Sequence, residues 1–389
     1  MKKKIAIITS HPIQYQTPLF RELAKNSEVD LLVYFCWNFG VTESLDPEFG
    51  RKIKWDTPLL EGYNFKFLKN FSLKPSSGFW GQLNPGIIWE LFKNKPDLLI
   101  IFGWNSYSNW LAAKTAKILG IKIAVRGENP LNQELLKSGW KLFIKKIIFI
   151  PVFKLVNFFL YIGEENRKFY KYYGVSDKKL FFAPYAVDNN FFFQKNEEIK
   201  SRRTELRAKY GFGVGDTVLL FVGKLIEKKQ PQDLLRAYKK LFLENPNLKL
   251  VFVGDGNLRL DLEKEANNLP GVVFVGFKNQ SELPEFYTLA DVFVLPSGMG
   301  ETWGLVINEA MCFGLPVLVS SLVGCASNLV KEGKNGFIFR FGDIEDLCVK
   351  LRSLIGGSSE VSEFGQESIE VIKKYSFGAD AEVMVNLIK

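Results

Sequence analysis

Thr217-Val218-Leu219-Leu220-Phe221-Val222-Gly223-Lys224 is a run of β-branched and large apolar residues that ends on a glycine and a lysine. A continuous apolar run of this length, closed by glycine, reads as a strand buried on both faces. The pattern recurs downstream at Lys249–Gly254, Val272–Gly276, Val292–Leu295 and Pro316–Ser320, with helical periodicity at Gln232–Glu244 and Leu258–Asn268 between. Strands alternating with helices imply a parallel sheet with right-handed crossovers. Such sheets bind ligands beyond the C-terminal ends of their strands. After the opening strand come Gly223, which permits close backbone approach, and Lys224 and Lys229, whose ammonium groups can meet a diphosphate. Lysines after a strand are also ordinary surface residues, so this loop alone does not decide between the two.

The N-terminal half repeats the architecture without repeating the sequence. Strands are expected at Lys4–Thr9, Asp30–Cys36, Asp97–Phe102, Ile121–Arg126 and Phe158–Ile162, with helices such as Pro18–Lys25 and Tyr107–Leu119. The chain has 389 residues, too many for one ordinary domain. The fold class is therefore α/β, with two Rossmann-like domains whose parallel sheets face a cleft. Ala183–Asn190 is the expected hinge, followed by a charged helix at Glu197–Lys209. The expected divisions are 1–190, 191–370, and a C-terminal helix over 371–389 that returns to the N-terminal domain. Met1-Lys2-Lys3-Lys4 before Ile5 reads as the start of a first strand rather than a signal peptide, because His11-Pro12 ends the apolar run too soon. Cys36, Cys312, Cys325 and Cys348 show neither metal-site nor disulfide-framework spacing, as expected of reduced thiols in a cytoplasmic protein. The net charge of +9 calls for an anionic partner. No nucleic-acid motif is present, which leaves an anionic substrate or an anionic membrane surface.

The densest chemistry lies in Gly300-Glu301-Thr302-Trp303-Gly304-Leu305-Val306-Ile307-Asn308-Glu309-Ala310-Met311, where seven residues separate two carboxylates. A glycine-rich turn that opens a helix is an anion site suited to phosphate. A carboxylate further along can accept hydrogen bonds from sugar hydroxyls. The segment reads as a grip on a nucleotide sugar. Glu309 precedes the apolar Ala310-Met311-Cys312-Phe313, and a carboxylate near buried surface needs a partner.

Taken together, Phe221-Val222-Gly223-Lys224, Val253-Gly254-Asp255-Gly256, Val275-Gly276-Phe277, the Glu301 to Glu309 pair, Leu315-Pro316-Val317 and Gly333-Lys334-Asn335-Gly336-Phe337 resemble the retaining GT-B glycosyltransferases of family 4, often called group 1 glycosyltransferases. The resemblance runs from about Val218 to Asp346 and is weaker in the first half. It implies that Lys224 and Lys229 hold the donor diphosphate, Glu309 binds ribose hydroxyls and Glu301 faces the transferred sugar. It further implies that backbone N–H groups of Trp303, Gly304 and Leu305 cap the diphosphate and that Phe277 lies near the base. No cofactor or metal is implied, only a UDP- or GDP-type sugar as co-substrate, and no Asp-X-Asp motif is present. Lysine stands at Lys224 where the family usually has arginine, which replaces bidentate phosphate recognition by a single contact. Asn328 lies near the position of a frequent family glutamate.

In the first half His11 and Gln14 follow the first strand, Trp104 and Asn105 the third, and Arg126 and Glu128 the fourth, so all six are candidates for contacts to an acceptor, and His11, Arg126 and Glu128 equally for contacts to phosphate. The histidine usual in the family near Arg126 is absent. Core packing is an equal account of Trp104. Leu136–Tyr161 carries Lys141, Lys145, Lys146 and Lys154 within apolar sequence. It reads either as a basic helix lying on the inner face of a membrane or as a solvated structural helix. The resemblance implies a retaining, metal-independent transfer of a hexose-type sugar to a glycan or lipid-linked glycan. A sugar-nucleotide epimerase and a non-catalytic nucleotide-sugar-binding subunit stand as alternatives.

Overall fold

A computed structural model describes residues 2–42, 44–46, 51–53, 55–267, 269–355 and 358–389. The strands of the first half are β1 (Lys3–Thr9), β2 (Val29–Phe35), β3 (Ser44–Asp46), β4 (Arg51–Ile53), β5 (Asn64–Phe67), β6 (Leu98–Phe102), β7 (Lys122–Arg126), β8 (Phe158–Tyr161) and β9 (Leu180–Phe182). Those of the second are β10 (Thr217–Val222), β11 (Leu248–Val253), β12 (Val272–Gly276), β13 (Val292–Leu295), β14 (Val317–Ser320) and β15 (Gly336–Phe339). The chain divides into two compact units. One comprises Met1–Ser44, Ile53–Tyr185 and Phe377–Lys389, the other Leu45–Lys52 and Ala186–Ser376.

In the first unit, among the described residues, seven strands form a sheet in the order β5-β2-β1-β6-β7-β8-β9. All neighbours are parallel. Alternation along the strands splits the core in two. Ile5, Ile7, Leu98 and Ile100 point into one cluster with helix Thr17–Lys25 and the C-terminal helix Phe377–Asn386. Ala6, Ile8, Leu99 and Ile101 point into the other, with helices Ile87–Asn94, Tyr107–Ile118 and Gly139–Leu155. Burial on both faces is why these strands lack polar alternation. Arg126 and Asp380, both almost fully buried, pair at 2.6 Å and tie the C-terminal helix to β7.

The second unit carries a six-stranded sheet, among the described residues, in the order β12-β11-β10-β13-β14-β15. Its neighbours are again all parallel. Chain direction across the sheet reverses between β10 and β13, so the loops after these two strands diverge and leave a crevice. The same reversal lies between β1 and β6 in the first unit.

The short edge strands β5, β9 and β15 have no counterpart in the sequence reading. The helix expected over Glu197–Lys209 is instead the end of helix Asn189–Ile199, a 3₁₀ turn at Lys200–Arg202 and a short helix at Arg203–Ala208. Asp188 starts the first of these by accepting from the Phe191 N–H at 3.1 Å. The helix expected over Leu258–Asn268 runs from Arg259 to Ala266, and Asn268 lies outside the described residues. All four cysteines are buried and free.

Candidate active site

The crevice of the second unit is built by the loop after β10 and the loop after β13. Backbone bonds fix the two against each other, since Gly298 N–H donates to the Lys228 carbonyl at 2.8 Å. Glycine is required where neighbouring loops cross. A Cβ on Gly254 would stand 1.9 Å from the Gly223 carbonyl oxygen, and one on Gly324 would stand 1.8 Å from that of Thr302. Lys224 and Lys229 are half-buried at the mouth of the crevice.

Lys229 forms an ion pair with Glu301, whose side chain is only 10% exposed. Burial alone would raise the Glu301 pKa. The Lys229 ammonium outweighs it, with Lys228 and the Ser297 hydroxyl adding to the effect, and the carboxyl sits below its ordinary value. Glu301 is therefore an anion held in place by a cation. Three residues on, Gly304 adopts φ +97°, the left-handed conformation that glycine favours, and opens helix Leu305–Cys312. The first N–H groups of a helix have no intrahelical acceptor, and its dipole favours an anion there. Trp303 is nearly fully buried, and its indole N–H donates to Asn308 at 2.9 Å, fixing the turn from inside.

Glu309 lies in the same helix in a different environment. It is 1% exposed, and it accepts from the Tyr287 hydroxyl at 2.6 Å. Burial pushes its carboxyl up to about 7, with the tyrosine only partly offsetting. Phe277 follows β12, half-buried, on the far side of β11 from the lysines. Tyr287 and Asn308 were not identified from sequence. Tyr287 is 22 residues from its partner, and no local pattern marks it.

In the first unit the loops after β1 and β6 flank the second crevice. His11 is half-buried, bonds Ser10 Oγ through Nδ1 at 3.0 Å, and stands edge-on to the rings of Trp37 and Phe39. Burial lowers its pKa to about 4, so it is neutral near pH 7. Gln14 is 9% exposed and its Oε1 has no hydrogen-bond partner among the described residues. Asn105 is exposed and donates to the Ser77 carbonyl at 3.2 Å. Trp104 does not stand out as a platform: its indole stacks on Phe169 at 5.6 Å and packs against Phe149 and Phe153. Gly127 makes room for it, since a Cβ there would lie 2.3 Å from the ring. Arg126 is committed to Asp380, with the rings of Phe102 and Tyr185 beside the guanidinium. Glu128 faces the Tyr185 hydroxyl.

Two units, each an open parallel sheet with its strand-order reversal at a loop-lined crevice, define the GT-B class of fold. Residues 202–371 match the family of glycosyl transferases group 1, so the second unit carries that family's pattern. The chain is similar to sulfoquinovosyl transferase SQD2 of Arabidopsis thaliana, with 36% identity over 181 residues covering 46% of this chain and 34% of that protein. It is similar to spore coat protein SA of Bacillus subtilis, with 32% identity over 176 residues covering 43% of this chain and 46% of that protein. The chain thus spans less than half the length of either relative. Among solved structures, Anabaena HepE in complex with UDP and glucose superposes with a TM-score of 0.71 at 17% identity, covering 99% of both chains. That likeness is one of fold.

Proposed function

We propose that this protein is a retaining, metal-independent glycosyltransferase that moves a hexose-type sugar from a nucleoside-diphosphate donor to a glycan or lipid-linked glycan. The observation that carries the reading is the Lys229–Glu301 pair at the crevice between β10 and β13, directly before the helix opening at Gly304. Lys224, Lys229 and the first N–H groups of the helix would hold the diphosphate. These positive groups would also stabilise the charge that develops as the diphosphate leaves. Glu301, ionised and fixed, would accept from hydroxyls of the transferred sugar, and Glu309 from the ribose. Catalysis of this kind rests on positioning and on fixed charge. The leaving diphosphate would take the acceptor proton in a front-side displacement, which retains the anomeric configuration. The neutral imidazole of His11, edge-on to the stacked rings of Trp37 and Phe39, and the Oε1 of Gln14, which has no hydrogen-bond partner among the described residues, support an acceptor site in the first unit.

The presence of UDP and glucose in the HepE complex makes UDP the first nucleotide to test. Calorimetry with UDP and GDP, then donor turnover with UDP- and GDP-hexoses in the presence of EDTA, tests the reading. The anomeric proton coupling of the product reports the stereochemistry. Measurable turnover with a retained anomer supports the proposal. An inverted product refutes the mechanism, loss of turnover on chelation with rescue by a divalent cation refutes metal independence, and failure of both diphosphates to bind refutes the site.

A further inference from the structure

Helix Gly139–Leu155 buries only Phe149 and Phe153 completely. Its outward face is apolar, not basic. Trp140, Phe143, Ile144, Ile147 and Ile148 recur at the spacing of a single helical stripe, and that stripe faces solvent, with Phe143 65% and Ile147 59% exposed. The four lysines of this segment are divided. Lys145, with Lys137, turns back to Glu134 at 2.6 Å, and Lys146 lies over the Tyr172 ring at 4.0 Å. Lys141 and Lys154 remain exposed at the border of the stripe.

The apolar surface continues across neighbouring helices. Helices Ile87–Asn94 and Tyr107–Ile118 pack together on the same face of the first sheet. The former exposes Ile88, Trp89 and Phe92. Between helices Tyr107–Ile118 and Gly139–Leu155 runs a groove of about 480 Å³, lined by Tyr107, Trp110, Leu111, Val152 and Leu155 among others. A soluble surface rarely concentrates this many large apolar side chains.

Charge identifies what covers it. Residues 66–157 hold 14 Lys and Arg against 4 Asp and Glu, an excess of ten. The whole chain carries +9, so the other 297 residues are within one charge of neutrality. Of the four acids, Glu134 is buried beneath two lysines and Glu90 is paired with Lys66. The entire net positive charge of the protein therefore belongs to the segment that bears the apolar face. A protein partner of either charge, or a second copy repelled by the same charge, fits this less well than a surface that is at once anionic and oily. No helix among the described residues is long and apolar enough to cross a membrane.

We propose that this face of the first unit lies on an anionic bilayer. The Trp140–Ile148 stripe enters the boundary between headgroups and acyl chains, the groove receives a hydrocarbon chain, and Lys141 and Lys154 meet lipid phosphates. This inference stands independently of the reaction proposed above.

The test uses the full chain in flotation with vesicles of phosphatidylcholine alone or mixed with phosphatidylglycerol. Wild type should float with the mixed vesicles and less with phosphatidylcholine alone. Phe143→Asp/Ile147→Asp, at two exposed positions, should lower the partition by roughly tenfold or more, because it removes two inserted apolar side chains. Lys141→Glu/Lys154→Glu should lower it less and should weaken its salt sensitivity. Unchanged circular dichroism and thermal unfolding of each variant establish that the fold is intact. Equal flotation of wild type and Phe143→Asp/Ile147→Asp, or no flotation of wild type at low salt, overturns the proposal. So does a concentration-dependent dimer in sedimentation that the apolar-to-Asp variant dissolves, since the face would then be a contact between copies of this chain.

Discussion

Replacing Glu309 by glutamine isolates one buried ionisation. The glutamine keeps the shape and can still accept from the Tyr287 hydroxyl, but it cannot ionise. Burial raises the Glu309 carboxyl from 4.5 to about 7. The folded state therefore binds its proton more tightly than the unfolded chain does. The stabilisation is present in full below about pH 4.5 and is lost as pH rises to about 7. A shift of this size amounts to about 3 kcal/mol, at 1.36 kcal/mol for each pKa unit. Wild type should lose about that much stability between roughly pH 4.5 and 7 relative to Glu309→Gln. Because the chain has two units, the measurement must read the second alone. Urea-dependent hydrogen exchange on peptides from β10 to β15 does so. The same ionisation bears on ligand binding. If ribose hydroxyls donate to the Glu309 carboxylate, UDP affinity should rise with pH up to about 7, by nearly tenfold per unit on the acid side. In Glu309→Gln the affinity should be lower and flat. Parallel pH dependence of stability in wild type and variant would refute the reasoning.

Lys229→Ala and Lys224→Ala should each weaken UDP binding by about 1–3 kcal/mol in calorimetry, the range for a charge-assisted hydrogen bond; wild-type affinity in both would remove the lysines from the diphosphate site. Glu301→Gln should lower kcat more than it raises KM if, as proposed, its partner is the reacting sugar; an unchanged kcat in a folded variant would show that Glu301 only secures Lys229. Arg126→Met strands a buried Asp380 and should cost about 3–5 kcal/mol in urea unfolding of the first unit, whereas Arg126→Met/Asp380→Leu should recover most of it; equal losses in both would mean that the pair itself, not the stranded charge, sets the cost.

The central strands were legible because burial on both faces leaves a continuous apolar signal, as in Leu98-Leu99-Ile100-Ile101-Phe102. The edge strand Asn64-Phe65-Lys66-Phe67 alternates and is largely exposed, so it offered no such run. Lys224, Lys229 and Glu301 could be picked out because a parallel sheet fixes where strands release their loops. Their partners could not be read the same way. Asp380 is 254 residues from Arg126, and only the folded C-terminal helix brings it there. The helix at Gly139–Leu155 shows what composition conceals. Its lysines and apolar residues were visible, but which face each took depended on Glu134, buried beside it and drawing Lys145 inward. Lys145 is thus turned to Glu134 and Lys146 to Tyr172, which leaves Lys141 and Lys154 exposed beside the apolar stripe.

Glu301 and Glu309 make a related point about the site itself. They are chemically identical, lie eight positions apart and are both buried, yet their environments drive their pKa values in opposite directions. The difference is one of partners. Glu301 has a lysine and so keeps its charge. Glu309 has, among the described residues, a tyrosine hydroxyl alone and so stands near the point of losing it. A permanent anion costs least beside a fixed cation, and in the proposed function Glu301 would hold Lys229 at the crevice and offer a constant acceptor to sugar hydroxyls. A carboxyl poised near neutrality responds instead to whatever hydrogen bonds arrive, and a ligand that donates to Glu309 must draw it toward the ionised form. Helix Leu305–Cys312 thus follows a stable anion and carries an adjustable one, a division that would let the two glutamates serve different parts of the proposed donor.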